Sequence, residues 1–330
     1  MLAAMTRTLR RRLSTVGPVA RTRLRLWLDR QSQHHDELAR QGLRTFLDDP
    51  AARLTFEPVS QPEVSVIVVT FGRAELTLEC LHALRAQKGA SFELIVVDNA
   101  SSDRTGELLD RIDGARIVRN PANRYFAPAV NQAAAVAEGR HLLLLNNDAV
   151  LWPGSLAAML AAMEESDRVG AVGARIVARS GRLQEAGSIV FCDGSAMGYG
   201  RGDDPEGGDY AFRRHVDYCS AACLLVRRSL FADIGGFDLR YLPAYYEDVD
   251  LCFAIAERGF VVLYEPAAAV THAEFASSSA ETAAALCKVN QPTFAARWIE
   301  RLKDAPKPAA NSASIRAREQ ARRFPTRGRS

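Results

Sequence analysis

The sequence predicts an α/β protein built on a doubly wound, mainly parallel sheet, and three observations carry that reading. Apolar strands and helices alternate between residues 64 and 165, the rhythm of parallel strands joined by crossover helices. Leu142-Leu143-Leu144-Leu145 is too short to span a membrane and too continuous to keep a wet face, so it reads as a strand buried on both sides. Three strands end in polar clusters, at Thr70 to Arg73, Asp98 to Asp103 and Asn146 to Asp148. Ligands of open parallel sheets sit beyond the carboxyl ends of the strands.

In chain order, residues 31–48 are helical in pattern, with Leu38, Leu43, Phe46 and Leu47 on one side, and Pro50, Pro58 and Pro62 mark a linker. Val64–Val69 is the first core strand, followed by a helix over 74–88 that Gly89 ends. Strands are expected at 92–97 and 116–118, an alanine-rich helix at 129–138, then the leucine strand and a helix over 155–165 after Pro153-Gly154. Past residue 166 the rhythm changes to short β-like pieces at 171–177, 188–191 and 223–226, around a Gly/Asp-rich loop over 192–209. Loops of that length usually have a function. Helices are expected at 229–234, 247–258 and 281–303, with a strand at 260–264. The tail from Ala305 is disordered by composition. These pieces divide into a basic N-terminal extension and linker (1–62), a catalytic domain (63–304, its halves meeting near residue 154) and a basic tail (305–330).

The net charge is +3, but residues 1–30 carry +7 and residues 305–330 carry +6, which leaves −10 on residues 31–304. An acidic body with basic ends argues against nucleic acid as a partner. It suits an anionic membrane surface or solvated tails. The six cysteines contain no CxxC and look like buried thiols of a reducing compartment. Arginines interrupt every apolar run near the N-terminus, and no run reaches the ~18 residues of a membrane helix, so a cytoplasmic protein, peripheral at most, is expected.

Single acidic residues at strand ends are weak evidence, because Asp caps helices everywhere. Three polar loops at one sheet edge are stronger and outline a nucleotide site, with Asp98 toward base or ribose and Asp148 near the phosphates. There is no GxGxxG and no GxxxxGK[ST]. Tyr245-Tyr246-Glu247-Asp248-Val249-Asp250 opens a helix with three acids. Compensation of the helix dipole would account for Glu247 and Asp250. The crowding tyrosines suggest burial instead, and a partly buried carboxylate makes a base. His272 follows a strand and a Pro-flanked loop and could face the same site.

Taken together, VSVIVVTFGR (64–73), VVDNASSDRT (96–105), LLLLNNDAVLWPG (142–154), GGFDLRYLPAYYEDVDL (235–251) and YEPAAAVTH (264–272) resemble the ordered motifs of family 2 glycosyltransferases of GT-A fold, in the subset with bacterial rhamnosyl- and galactofuranosyltransferases. The resemblance covers roughly residues 60–300. It implies a GT-A domain with helical N- and C-terminal extensions, and an inverting, metal-dependent transfer from a UDP- or dTDP-type sugar to a cell-surface glycan or lipid-linked acceptor. By position it assigns Asp248 as the catalytic base with Glu247 in support. It assigns Thr70, Phe71, Gly72, Arg73, Asp98, Asn99, Asn123, Arg124 and Asn147 to the donor nucleotide. It assigns Asp148 and His272, with Asn146, to a divalent metal, Mn²⁺ or Mg²⁺. Asn146 stands where DxD has its first Asp, Arg124-Tyr125 where many members have Gly-Phe after Asn123, and Ser220-Ala221-Ala222 where Gly-Ala is usual. The competing readings are a GT-A-like sugar nucleotidyltransferase and an inactive glycan-binding module. Thr70–Arg73 lacks the Gly-rich, basic loop of the first, and the intact Asp148, Asp248 and His272 argue against the second.

Overall fold

The computed structural model describes residues 34–274 and 279–324. One ten-stranded sheet organises it, made of β1 (Val64–Thr70), β2 (Phe92–Asp98), β3 (Ala115–Arg119), β4 (His141–Asn146), β5 (Ala149–Leu151), β6 (Val169–Ala178), β7 (Leu183–Ala186), β8 (Arg214–His215), β9 (Cys223–Arg227) and β10 (Val261–His272). The helices that position the site are α1 (34–48), α2 (Ala74–Arg85), α3 (Phe126–Ala134), α4 (Ser155–Glu164), α5 (Glu247–Glu257), α6 (Ala280–Arg297) and α7 (Ser312–Ala321).

The sheet order is β8-β10-β6-β9-β4-β1-β2-β3, with β5 beside β10 and β7 beside β6. The strands from β4 to β3 are all parallel, as the alternating sequence predicts. Beyond β4 the sheet is mixed. β9 runs antiparallel to both β4 and β6, while β6 and β10 are parallel to each other. An antiparallel β9 starts where β4 ends, with Cys223 opposite Leu145. Ser220-Ala221-Ala222 is thereby delivered to the carboxyl edge of the parallel half.

The leucine strand splits as a doubly buried strand must. Leu143 and Leu145 join Val66 and Val68, α2 and α4 on one face, and Leu142 and Leu144 join Ile67, α3 and α5 on the other. Period-2 alternation directs neighbours to opposite faces, and both faces are dry. Each fully buried leucine is worth about 2 kcal/mol of transfer free energy. A third cluster, Tyr246, Phe253, Phe294 and Trp298, clamps α6 onto α5 through ring contacts with centroids 5.0–5.6 Å apart.

Four expectations change. In α1 the buried stripe is Ala39, Leu43 and Leu47, while Leu38 is exposed. β10 does not stop at Tyr264 but continues to His272, because a register shift between Glu265 and Ala269 accommodates Pro266 within the strand. The expected helix over 281–303 ends at Arg297, with a separate turn of helix at Ile299–Leu302. The tail, expected to be disordered from Ala305, is ordered through Phe324. Arg214, fully buried on β8, pairs at 3.1 Å with Glu319 of α7 and lies over the rings of Tyr199 and Tyr264. A buried guanidinium needs that partner, and the need outweighs the tail's polar composition. Arg316 pairs with Asp209, and Arg318 and Arg322 with Asp217, so these basic residues are engaged inside the fold. The arginine-rich segment 1–30 lies outside the described residues.

Candidate active site

The parallel strands end in register. Thr70 is opposite Asp98, and Val69 is opposite Asn146, so the three polar clusters share one edge. The loop after β1 is fixed by its neighbours. The Gly72 amide donates to Ser101 Oγ at 2.7 Å, and the Ala74 amide, the first of α2, donates to Asp103 Oδ2 at 3.0 Å. Asp98 is buried and accepts from the Ser101 amide. Gly72 and Arg73 both have left-handed backbones, and Arg73 pairs with Glu75 at 2.9 Å. Phe71 is left half exposed above this frame.

Two asparagines expected to bind donor are instead spent inside the protein. Asn147 Nδ2 donates to Thr77 Oγ1 at 3.0 Å and to Thr70 Oγ1 and Gly72 O at 3.3 Å. Asn99 Nδ2 donates to the Tyr125 carbonyl at 3.1 Å, and Asn99 Oδ1 accepts from Asn120 at 2.8 Å. Both brace this sheet edge from beneath. Asn123 and Arg124 are exposed beside it, and Asn123 Oδ1 accepts from the Tyr125 amide.

Asp148 and His272 meet because β5 pairs with the end of β10, setting Ala149 opposite His272. Asp148 Oδ1 lies 3.2 Å from His272 Nε2, and Asn146 Nδ2 lies 3.3 Å from the same nitrogen. The other ring nitrogen, Nδ1, is 3.1 Å from Gln184 Oε1. An oxygen acceptor there holds the proton on Nδ1, the second-shell arrangement of a metal-binding histidine; with no cation between them Nε2 donates its own proton to Asp148, and a cation would take that proton's place. Burial alone would lower His272 and raise Asp148. Their mutual charge and hydrogen bond win, so His272 is raised and Asp148 lowered. Among the described residues no cluster of three or more His, Cys, Asp or Glu side chains could hold a metal. Two such side chains alone would leave most of a divalent cation's shell to phosphate and water.

Asp248 opens α5. Its Oδ2 accepts from the Ala221 amide at 3.1 Å and its Oδ1 from the Val249 amide at 2.8 Å. Beside it, Glu185 on β7 accepts from the Ser220 amide at 2.8 Å. Consecutive amides thus hold a buried carboxylate, Glu185, and a half-buried one, Asp248. Burial, reinforced by Asp248's charge, pushes Glu185 up to about 7. Burial and then Asp248's charge push Glu247 up to about 8, and burial raises Asp248 against its backbone hydrogen bonds. A raised carboxylate is the stronger base. Glu247 Oε2 is buried without a hydrogen-bond partner. The dipole reading for Asp250 does not hold. Asp250 is buried, and its Oδ1 accepts from Tyr241 OH at 2.8 Å and Trp298 Nε1 at 2.7 Å, while Arg297 lies 3.1 Å from its Oδ2. It ties α6 to α5 rather than facing a ligand.

The contacts close a ring. The Asn146 amide donates to Ala222 O, Ala221 holds Asp248, Ser220 holds Glu185, and the adjacent Gln184 orients His272 against Asp148. Gln184 and Glu185 are the members that sequence reasoning missed. Leu183–Ala186 has no β-branched residue to announce a strand, and its polar, glycine-rich surroundings read as loop.

The model of "Glycosyl transferase family 2" matches residues 65–235, just over half of the chain. The chain belongs to that family. Among curated relatives of this family 2 protein, the O-antigen biosynthesis protein RfbC of Myxococcus xanthus is 32% identical over 259 residues, 74% of this chain but 20% of that protein. This chain therefore spans about a fifth of that relative's length. The N-acetylglucosaminyl-diphospho-decaprenol L-rhamnosyltransferase of Mycobacterium tuberculosis is 27% identical over 252 residues, covering 69% of this chain and 82% of that one. Among solved structures, a mannosyltransferase from Pyrobaculum calidifontis in complex with GDP-Man and Mn²⁺ superposes with a TM-score of 0.52 at 18% identity, covering 87% of this chain and 76% of that one. That likeness supports the GT-A fold expected from the motifs.

Proposed function

We propose that the protein is an inverting glycosyltransferase that moves a sugar from a nucleoside diphosphate donor to a hydroxyl of a glycan or lipid-linked glycan. The observation that carries this reading is the ring of contacts joining the Asp148–His272 pair to Asp248 at the carboxyl edge of the sheet. Asp148 and His272, with Asn146 beside them, would hold a divalent cation, whose chemistry is neutralisation of the departing diphosphate. Thr70–Arg73 and Asp98 would receive the nucleoside. Asp248, its two oxygens fixed by backbone amides, would take the acceptor proton as the new bond forms. One base on the face opposite the leaving group gives inversion without a covalent intermediate. The Mn²⁺-bound neighbour and the rhamnosyltransferase relative support a nucleotide-sugar donor and a lipid-linked acceptor.

The test is a panel of UDP-, dTDP- and GDP-sugars screened for thermal stabilisation with Mn²⁺, then for transfer with and without EDTA. A ligand at 100 times its Kd adds ~2.7 kcal/mol of stability. Stabilisation by one donor class and loss of transfer on chelation are expected, and full activity in excess EDTA refutes the metal assignment. Among the described residues no helix is long and apolar enough to cross a membrane. The +7 on residues 1–30 supports peripheral contact with anionic lipid. Deleting that segment should weaken binding to anionic vesicles, and unchanged binding refutes the contact.

A further inference from the structure

Tyr125 has φ 65° and ψ 175°, a region of backbone space open almost only to glycine. Its neighbours enforce this conformation. Its amide donates to Asn123 Oδ1 at 2.8 Å, and its carbonyl accepts from Asn99 Nδ2 at 3.1 Å. Asn99 is almost wholly buried and is itself held by Asn120. Glycine would meet this geometry without strain. A tyrosine stands there instead, and its side chain is 48% exposed. Folding gains little from a ring left in solvent, so the ring's use lies elsewhere.

Its place indicates that use. β2 lies between β1 and β3 in the sheet, and Asp98 and Asn99 stand at its carboxyl end. The loop after β1 presents Phe71, 50% exposed, on one side of that end, and the loop after β3 presents Tyr125 on the other. Two exposed aromatic residues therefore stand on the loops either side of a strand that ends in a buried carboxylate, side chains of the kind that offer flat faces to a flat ligand and an acceptor to its hydroxyls or N–H groups.

We propose that Tyr125 is a donor-contacting residue whose ring packs against the nucleoside of the nucleoside diphosphate sugar, and that its strained backbone is retained for that contact. This rests on the donor-site reading given under Proposed function. The contact supplies affinity for base and ribose and takes no part in the chemical step.

The experiment compares Tyr125→Phe, Tyr125→Ala and Tyr125→Gly with the parent chain. Kd is measured by calorimetry for UDP, dTDP and GDP with Mn²⁺, and for inorganic pyrophosphate with Mn²⁺, and the melting temperature is recorded for each variant. The parent should bind at least one nucleotide. Tyr125→Phe should stay within about threefold of it, because the aromatic face is kept. Tyr125→Ala and Tyr125→Gly should weaken that nucleotide on the order of 10-fold, the usual worth of one base–aromatic stack. Pyrophosphate binding should not change, and Tyr125→Gly should melt above Tyr125→Ala as strain is released. Parental nucleotide affinity in Tyr125→Gly overturns the proposal, as does an equal loss of nucleotide and pyrophosphate affinity. If the parent binds pyrophosphate but none of the nucleotides, the donor-site reading falls and the proposal falls with it.

Discussion

Glu185→Gln tests the buried carboxylates directly. Glu185 is fully enclosed, titrates at about 7 in the fold and has an ordinary value of 4.5. A carboxyl whose folded value is raised binds its proton more tightly when native, so its effect on stability is neutral below 4.5. It becomes unfavourable as pH rises from there to 7, then levels off. At roughly 1.4 kcal/mol per pH unit of separation, the wild type carries a penalty of ~3 kcal/mol by pH 8. Glutamine keeps the oxygen that accepts from the Ser220 amide and cannot ionise. Urea titrations of both proteins at pH 4.5 and pH 8 measure the difference. The variant should gain up to ~3 kcal/mol on the wild type between the two pH values, and Glu247, raised to about 8, remains as a common background. Parallel pH profiles for the two proteins would mean that Glu185 is not held as a protonated acid, and would refute the burial argument.

Asp248→Asn keeps the shape at the start of α5 and removes the proton acceptor. Steady-state kinetics should show kcat down by ~10²–10⁴ with little change in donor affinity, and near-normal kcat would remove Asp248 from the role of base. Asp250→Ala leaves Tyr241 OH and Trp298 Nε1 buried without their acceptor, a cost of ~2–5 kcal/mol read by chemical denaturation. Asp250→Asn retains an oxygen for both donors and should cost clearly less, and equal losses would show that the charge facing Arg297, not the hydrogen bonds, matters.

The parallel half of the fold was readable because its signals are local. Val64–Thr70, Phe92–Asp98 and the four leucines are dense apolar runs, each followed by polar residues, and their order alone sets the edge where Thr70, Asp98 and Asn146 align. The second half depends on contacts distant in sequence. Glu319 meets its partner Arg214 only in the folded chain, while Leu183–Ala186 pairs with β6 in a local hairpin but carries no β-branched residue to announce it. Motif position brought Asp148, His272 and Asp248 to notice. It did not reveal that the side-chain amides of Asn99 and Asn147 are engaged by neighbouring loops. Asp250 was misjudged for a related reason. A helix start suggests a dipole partner, and only the tertiary structure reveals Tyr241 and Trp298 against it.

Asn147 pins the loop that would receive the nucleoside, and its chain neighbour Asp148 faces His272. The two ends of a bound donor, base and diphosphate, would therefore be read by adjacent residues on one short, rigid piece of backbone. Displacement at either end is transmitted to the other through a single peptide bond. Cation and nucleotide should consequently bind as coupled ligands. Whatever factor the metal adds to nucleotide affinity, the nucleotide must return to the metal, and a change that loosens Asn147 would shrink both by the same amount.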